Sequence, residues 1–214
     1  MDGLLLDSER VAMMAFRELA VEAGLCAAQA DADFLGLIGS SATQTRHRLH
    51  DILPEGTDVS EFSARWSERF AQLTQSGVPL RPYVAEVITM LSHAGHAMAV
   101  VTSTQGGHAR AQLAQVGLLE HFACVVGGDE VRANKPDPEP YLAGARRLGV
   151  EARDCVAFED SDTGVRSAVA AGCRVVQVPD LRPSGLALPE LGQSIARDLR
   201  EAARLILNDA VTSD

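Results

Sequence analysis

The sequence predicts an α/β protein: a Rossmann-like parallel sheet with helices on both faces, plus a small all-helical cap domain. Two observations predict the sheet. From residue 83 onward, helix-length amphipathic stretches alternate with short, continuously apolar runs. Buried strands of that kind, each reached through a helix, are what a parallel sheet covered on both faces requires. The third observation concerns residues 9–78, which carry several apolar helical faces and no strand-like run.

Residues 1–8 form a short leading segment. Phe16, Leu19, Ala20 and Ala23 then make one apolar helix face, and further helical stretches follow near 30–38, 43–52 and 59–75. This block, residues 9–78, fits a cap domain hung on two short linkers from a core of residues 1–8 and 79–214. In the core, Val84, Val87, Ile88 and Leu91 stand at i, i+3, i+4 and i+7, so a helix is expected over 83–94, ended by Gly95. The apolar run 97–101 follows as a strand. Helix 108–117 leads to strand 123–126, helix 138–148 to strand 155–158, and helix 163–171, stopped by Gly172, to strand 174–178. Residues 181–194, rich in Pro, Gly and Leu, read as a loop before a last helix near 195–207.

At 214 residues, 46% of them hydrophobic, the chain is long enough for one well-buried core and a smaller module. Its formal net charge of −10 argues against nucleic acid as a partner, because phosphate backbones are held by clustered Lys and Arg. Arg46-His47-Arg48 is the only compact basic cluster and reads as a solvated helix face. Cys26, Cys124, Cys155 and Cys173 have no metal-ligand spacing, and Cys124 and Cys155 lie in apolar runs where a thiol acts as a small hydrophobe. No apolar stretch is long enough to span a bilayer and no charged-then-apolar leader is present. A reduced, cytoplasmic protein with no membrane partner is the expectation, and oligomeric state is not legible.

Ligand sites in such sheets lie beyond the carboxyl ends of the strands, so functional residues are expected directly after the apolar runs. Glu159 and Asp160 leave the end of run 155–158 as adjacent carboxylates, an oxygen-rich pair suited to a hard cation such as Mg²⁺. Thr102 and Ser103 follow run 97–101; a hydroxyl and the amides of the next turn can hold phosphate oxygens, and Gln105-Gly106-Gly107 offers backbone that an anion can approach. Lys135, in the rigid Asn134-Lys135-Pro136-Asp137-Pro138 loop, can neutralise a transferring phosphoryl group. His47 and His50 stand at i, i+3 without a third ligand and read as helix surface.

These residues resemble the haloacid dehalogenase-like hydrolase superfamily, in its β-phosphoglucomutase and sugar-phosphate phosphatase branch, over nearly the whole chain. Met1-Asp2-Gly3 is similar to the back half of the family's first motif, Asp-x-Asp-Gly; Thr102 matches the second motif, Lys135 the third, and Glu159-Asp160-Ser161-Asp162-Thr163-Gly164 the fourth. The resemblance implies a Mg²⁺-dependent phosphatase acting on a small phosphorylated metabolite through an aspartyl-phosphate. Asp2 would serve as the general acid and base. Mg²⁺ would be held by the nucleophile, the Asp2 carbonyl, Asp160 and Glu159, and the phosphate by Thr102, Ser103 and Lys135. The motif puts the nucleophilic aspartate one residue ahead of Met1, after an apolar strand, so Met1 is expected to be the variable residue of Asp-x-Asp. A phosphosugar mutase is a second reading, though Ala12 and Ala42 stand where that branch tends to carry a cap histidine and arginine. A catalytically inactive phosphate-binding domain is a third. The 39–43 turn is a candidate cap loop.

Overall fold

The computed structural model describes residues 1–38, 42–183 and 185–211. It divides into two compact units. One comprises Asp7–Val78 with Leu181–Ala187, the other Met1–Leu6, Pro79–Asp180 and Leu188–Asp214.

The first unit contains four helices among its described residues: α1 (Ser8–Glu22), α2 (Ala27–Leu37), α3 (Ala42–Ile52) and α4 (Val59–Leu73). Their apolar faces meet on Phe16, which has no exposed surface and lies 5.8 Å from Phe34, 5.6 Å from Phe62 and 5.2 Å from Trp66, centroid to centroid. Edge-on ring packing of this kind adds to the area each ring buries. The indole N–H of Trp66 donates to the Ala12 carbonyl at 2.9 Å, which satisfies the polar end of a ring otherwise in the core. Asp58 caps α4 by accepting from the amides of Ser60 and Glu61. Leu181 packs on this cluster, which is why the 181–187 segment groups with the helices and not with the core from which the chain reaches it. Of the candidate cap turn, residues 39–41 lie outside the described residues, and residues 42 and 43 open α3.

The second unit carries α5 (Val84–His93), β1 (Ala99–Val101), α6 (Gly106–Gln115), β2 (Cys124–Val126), α7 (Glu139–Leu148), β3 (Val156–Glu159), α8 (Asp162–Ala170), β4 (Arg174–Gln177), β5 (Ser194–Ile195) and α9 (Leu199–Val211). Every strand pair is parallel. β1 pairs with β2, Val100 opposite Val125, and β3–β4–β5 form a second ladder with Phe158 opposite Val176. Side chains alternate along β3 as the pleat dictates. Ala157 packs with Val165, Ala168 and Val175, while Val156 and Phe158 pack with Val176, Ala202 and Ile206. Helix α8 thus covers one face and α9 the other, the Rossmann-like layering that the alternation predicts.

One element departs from that reading. Ser194–Ile195 is a strand on the free edge of β4, where the Ala196 amide donates to Gln177 O, and the last helix begins four residues later than expected. Asp198 sets that start by accepting from the Glu201 amide at 2.8 Å. Near the start of the chain, the amides of Leu5 and Leu6 turn back onto the Met1 carbonyl and the Gly3 amide donates to Leu6 O, making a tight hairpin-like turn. Leu6 then bridges Leu80 antiparallel, and the Arg81 amide donates to Leu5 O. The chain therefore leaves the core after residue 6 and returns to it at residue 79 from adjacent points. Among the described residues no helix is long and apolar enough to cross a membrane.

Candidate active site

The carboxyl ends of β1 and β3 gather most of the residues singled out in the sequence. Thr102 continues β1 with its amide donating to Val126 O at 3.0 Å; the residue is buried, and its Oγ1 accepts from the Thr104 amide at 3.1 Å. That turn aims the Thr104 hydroxyl at Asp2, whose Oδ2 it reaches at 2.9 Å. Asp2 is thereby tied to the loop after β1 across a hundred residues of sequence. Ser103 is exposed, and its carbonyl lies so close to Gly128 that a side chain there would have no room. The Gly128 amide donates to Thr104 O, so the loops after β1 and β2 are fastened together.

Gln105-Gly106-Gly107 does not form an open anion loop. Gly106 and Gly107 are the first residues of α6, and the Gly106 amide is taken by Asp129 Oδ1 at 2.7 Å. The backbones of Gly106 and Gly127 approach so closely that a Cβ on Gly127 would fall on Gly106. These glycines serve the packing of the two loops.

At the end of β3, Glu159 is 4% exposed and is the hub of the site. Lys135 Nζ and the Tyr141 hydroxyl both donate to Oε1, and the Ser161 hydroxyl reaches Oε2 at 3.2 Å. Burial alone would push the Glu159 carboxyl up, but the Lys135 charge beside it holds it below the ordinary carboxylate range. Tyr141 moves the other way: burial, then the Glu159 charge, push its hydroxyl well above the usual tyrosine range. The hydroxyl therefore stays protonated and donates. Lys135 Nζ also donates to Val101 O at 3.1 Å, so one ammonium links the carboxyl ends of β1 and β3. Ser161 caps α8 by accepting from the Gly164 amide at 3.1 Å, and a Cβ on Gly164 would overlap the Glu159 carboxylate. Only glycine lets the first turn of that helix close over it.

Asp160 faces the opposite way, toward the turn at the start of the chain. Its Oδ2 would stand 2.5 Å from a Cβ on Gly3, and Gly3 has a φ of +75°, a left-handed conformation that glycine adopts freely. Asp180 lies at the same place, its Oδ2 3.4 Å from that Cβ position, and Arg81 pairs with it at 3.1 Å. Burial, and after it the neighbouring Glu159 charge, push the Asp160 carboxyl up to about 7. A buried carboxylate in that condition gains from an added hard cation. Asp160 thus offers one anionic oxygen of the kind a hard cation takes, while among the described residues no three His, Cys, Asp or Glu side chains are gathered as a metal-binding group.

Asp2, Thr102, Lys135, Glu159 and Asp160 thus come together at the carboxyl ends of β1 and β3, with Ser103 at the rim. Sequence reasoning gave no role of their own to Thr104, Tyr141 or the Arg81–Asp180 pair. Thr104 stood inside the Thr102-Ser103-Thr104 run and was within reach of that reading. Tyr141, on a helix face that also buries Ala145, carries only the signature of a core residue.

The arrangement can be set beside known proteins. The family model for haloacid dehalogenase-like hydrolases matches residues 1–178. The chain is 33% identical over 179 residues to the fructose-1-phosphate phosphatase YqaB of Escherichia coli, covering 83% of this chain and 93% of that protein. It is 30% identical to the phosphorylated carbohydrates phosphatase of Thermotoga maritima, over 90% of this chain and 88% of that one. Among solved structures, a HAD family hydrolase from Deinococcus radiodurans with bound phosphate and sodium superposes with a TM-score of 0.80 at 26% identity, covering 99% of this chain and 93% of that one. With motif residues in order, a parallel sheet that collects them at one edge, and a family match over most of its length, the chain belongs to the haloacid dehalogenase-like hydrolases.

Proposed function

We propose that this hydrolase is a Mg²⁺-dependent phosphatase that removes phosphate from a small phosphorylated sugar through an aspartyl-phosphate intermediate. The observation that carries the reading is the placement of Lys135, whose ammonium spans the ends of β1 and β3 beside a buried carboxylate pair. A fixed cation there is suited to offset charge on a phosphoryl group. The curated relatives named above are phosphatases of fructose 1-phosphate and of phosphorylated carbohydrates, which supports the substrate class.

In the proposed reaction an aspartate carboxylate, assigned by the family motif to the position directly ahead of Met1, attacks phosphorus. A new O–P bond forms as the bond to the sugar oxygen breaks, and Asp2 gives its proton to that leaving oxygen. Water then attacks the aspartyl-phosphate and passes a proton to Asp2, releasing inorganic phosphate and restoring both carboxyl groups. Thr104 holds Asp2 in place for both transfers through its 2.9 Å hydrogen bond. Thr102, the Ser103 backbone and Lys135 take the remaining phosphate oxygens, and Glu159 keeps Lys135 oriented. Asp160 and the Asp2 carbonyl would hold Mg²⁺, whereas Glu159, expected from the sequence as a further ligand, has its carboxylate turned to Lys135, Tyr141 and Ser161 and away from Asp160; the ion, when bound, would supply charge neutralisation at the phosphate.

The test is phosphate release from p-nitrophenyl phosphate and a panel of sugar phosphates, with Mg²⁺ and with EDTA. It compares the 214-residue chain with a version carrying an apolar strand and an aspartate directly ahead of Met1. Turnover by the extended version that needs Mg²⁺ and is lost in Asp2→Asn is expected. Binding of phosphate without turnover by either version refutes the phosphatase and favours a phosphate-binding domain.

A further inference from the structure

Two of the cysteines face each other across neighbouring strands. In the β3–β4 ladder Glu159 stands opposite Gln177, with the Val178 amide donating to Glu159 O, and Ala157 stands opposite Val175 in the same register. One step ahead of β3 the Arg174 amide donates to Cys155 O at 3.1 Å. That is the bond this parallel register makes when Cys155 is opposite Cys173. Paired residues of a parallel ladder turn their side chains to one face, and successive residues alternate between faces. Cys155 therefore shares a face with Ala157, and Cys173 packs on the same cluster, against Val165, Ala168 and Val175. Both thiols are free and partly exposed.

Neighbouring strands lie about 4.7–4.9 Å apart, and a disulfide joins α-carbons that are about 4.4–6.8 Å apart. The backbone thus already holds these two residues at bridging distance. The Cys155 thiol is tied elsewhere only by a 3.5 Å contact with Glu151 O, and an S–H group is a weak donor. The remaining cysteines are placed differently: Cys124 is opposite Ala99, and Cys26 precedes α2 in the helical unit. Burial pushes the Cys173 thiol up to about 11, and the neighbouring Cys155 charge adds to that. Burial, and after it the Asp154 charge, raise Cys155 as well. Thiols raised in this way carry little thiolate near neutral pH and react slowly. The pair therefore stays reduced against a passing oxidant and yields to a sustained one.

We propose that Cys155 and Cys173 are an oxidative modification site, closed to an intrachain disulfide by hydrogen peroxide. The Cys155 sulfur attacks the O–O bond and keeps one oxygen as a sulfenic acid, while the other leaves as water. The Cys173 sulfur then attacks the Cys155 sulfur; the S–S bond forms, the S–O bond breaks, and a second water leaves. Two thiols are oxidised and one peroxide is reduced to two waters. Cys155 is the first to react because Cys173 is packed against the α8 side chains. The closed loop runs from residue 155 to residue 173 and contains Glu159, Asp160 and α8. The bond therefore braces the amino end of the strand whose carboxyl end carries the carboxylate pair. The proposal stands on the ladder register and is independent of the phosphatase reading.

The test exposes the reduced 214-residue chain to excess hydrogen peroxide at about pH 8.5, near the ordinary thiol range, and alkylates the thiols that remain. Mass spectrometry of the digest is expected to show a Cys155–Cys173 crosslink in monomeric protein, with Cys26 and Cys124 outside it. The oxidised protein is expected to gain roughly 5–10 °C in Tm, reversed by dithiothreitol, as suits a loop of this length in a chain of this size. In Cys173→Ala the sulfenic acid on Cys155 persists and is captured by dimedone, and in Cys155→Ala the crosslink and the Tm gain are both lost. Recovery of Cys155 and Cys173 as separately alkylated thiols, after Cys26 in the same sample has been oxidised, overturns the proposal. Crosslinks found only between chains overturn it too, as does Cys155 driven to sulfinic acid without a crosslink.

Discussion

Replacing Lys135 with methionine keeps most of the side chain's length and removes its charge, which leaves the Glu159 carboxylate buried without its cation. The side chains are 9% and 5% exposed, so water cannot readily take over the ammonium's role. Removing one partner of a buried ion pair costs about 3–5 kcal/mol. Tyr141 and Ser161 still donate to Glu159, which puts the expected loss at the lower end, about 3 kcal/mol. For a chain of this length that is a fall in Tm of roughly 6–12 °C. Urea unfolding of wild type, Lys135→Met, Glu159→Gln and the double variant measures the coupling directly. The double variant is expected to recover about 2 kcal/mol of the summed losses, because neither buried charge is then stranded. A Lys135→Met protein within about 1 kcal/mol of wild type, or strictly additive losses in the double variant, would refute the claim that this pair organises the strand ends.

Three further outcomes follow from neighbouring geometry. Gly164→Ala puts a methyl group into the Glu159 carboxylate and is expected to cost about 1–3 kcal/mol in urea unfolding, typical of overpacking. Gly3→Ala combines a left-handed φ, worth about 1–2 kcal/mol, with a collision at Asp160; beyond lower stability, the Mg²⁺ concentration giving half-maximal activity in the extended version is expected to rise. Thr104→Val removes the hydroxyl that holds Asp2 and is expected to lower kcat of that version while changing stability by only about 1 kcal/mol, read by steady-state kinetics beside thermal unfolding.

Strands β1 to β4 were legible because each centres on a short apolar run that no helical period explains. Strand β5 was not, because its two residues are exposed and its pairing is imposed by the free edge of β4. At the site, Asp2, Thr102, Lys135 and Asp160 were legible as residue types placed after strands in a recognisable order. Their partners were not. Thr104 meets Asp2, and Tyr141 meets Glu159, only once the chain has folded, and nothing in the local spacing of either residue encodes the contact. The glycine run at 105–107 misled for the same reason, since a close backbone approach leaves the same sequence mark whether the visitor is an anion or Gly127.

The bridge between Leu6 and Leu80 has a consequence for how this architecture can vary. It pins the departure and return of the segment Asp7–Val78 to adjacent points on the core, so that this segment is one closed excursion of the chain. The entropy of closing such an excursion grows only with the logarithm of its length. Segments of very different size could be exchanged at this hinge, or reduced to a tight turn, with little change in the stability of the sheet beneath. Selection on whatever the helices contribute is thereby decoupled from selection on the sheet.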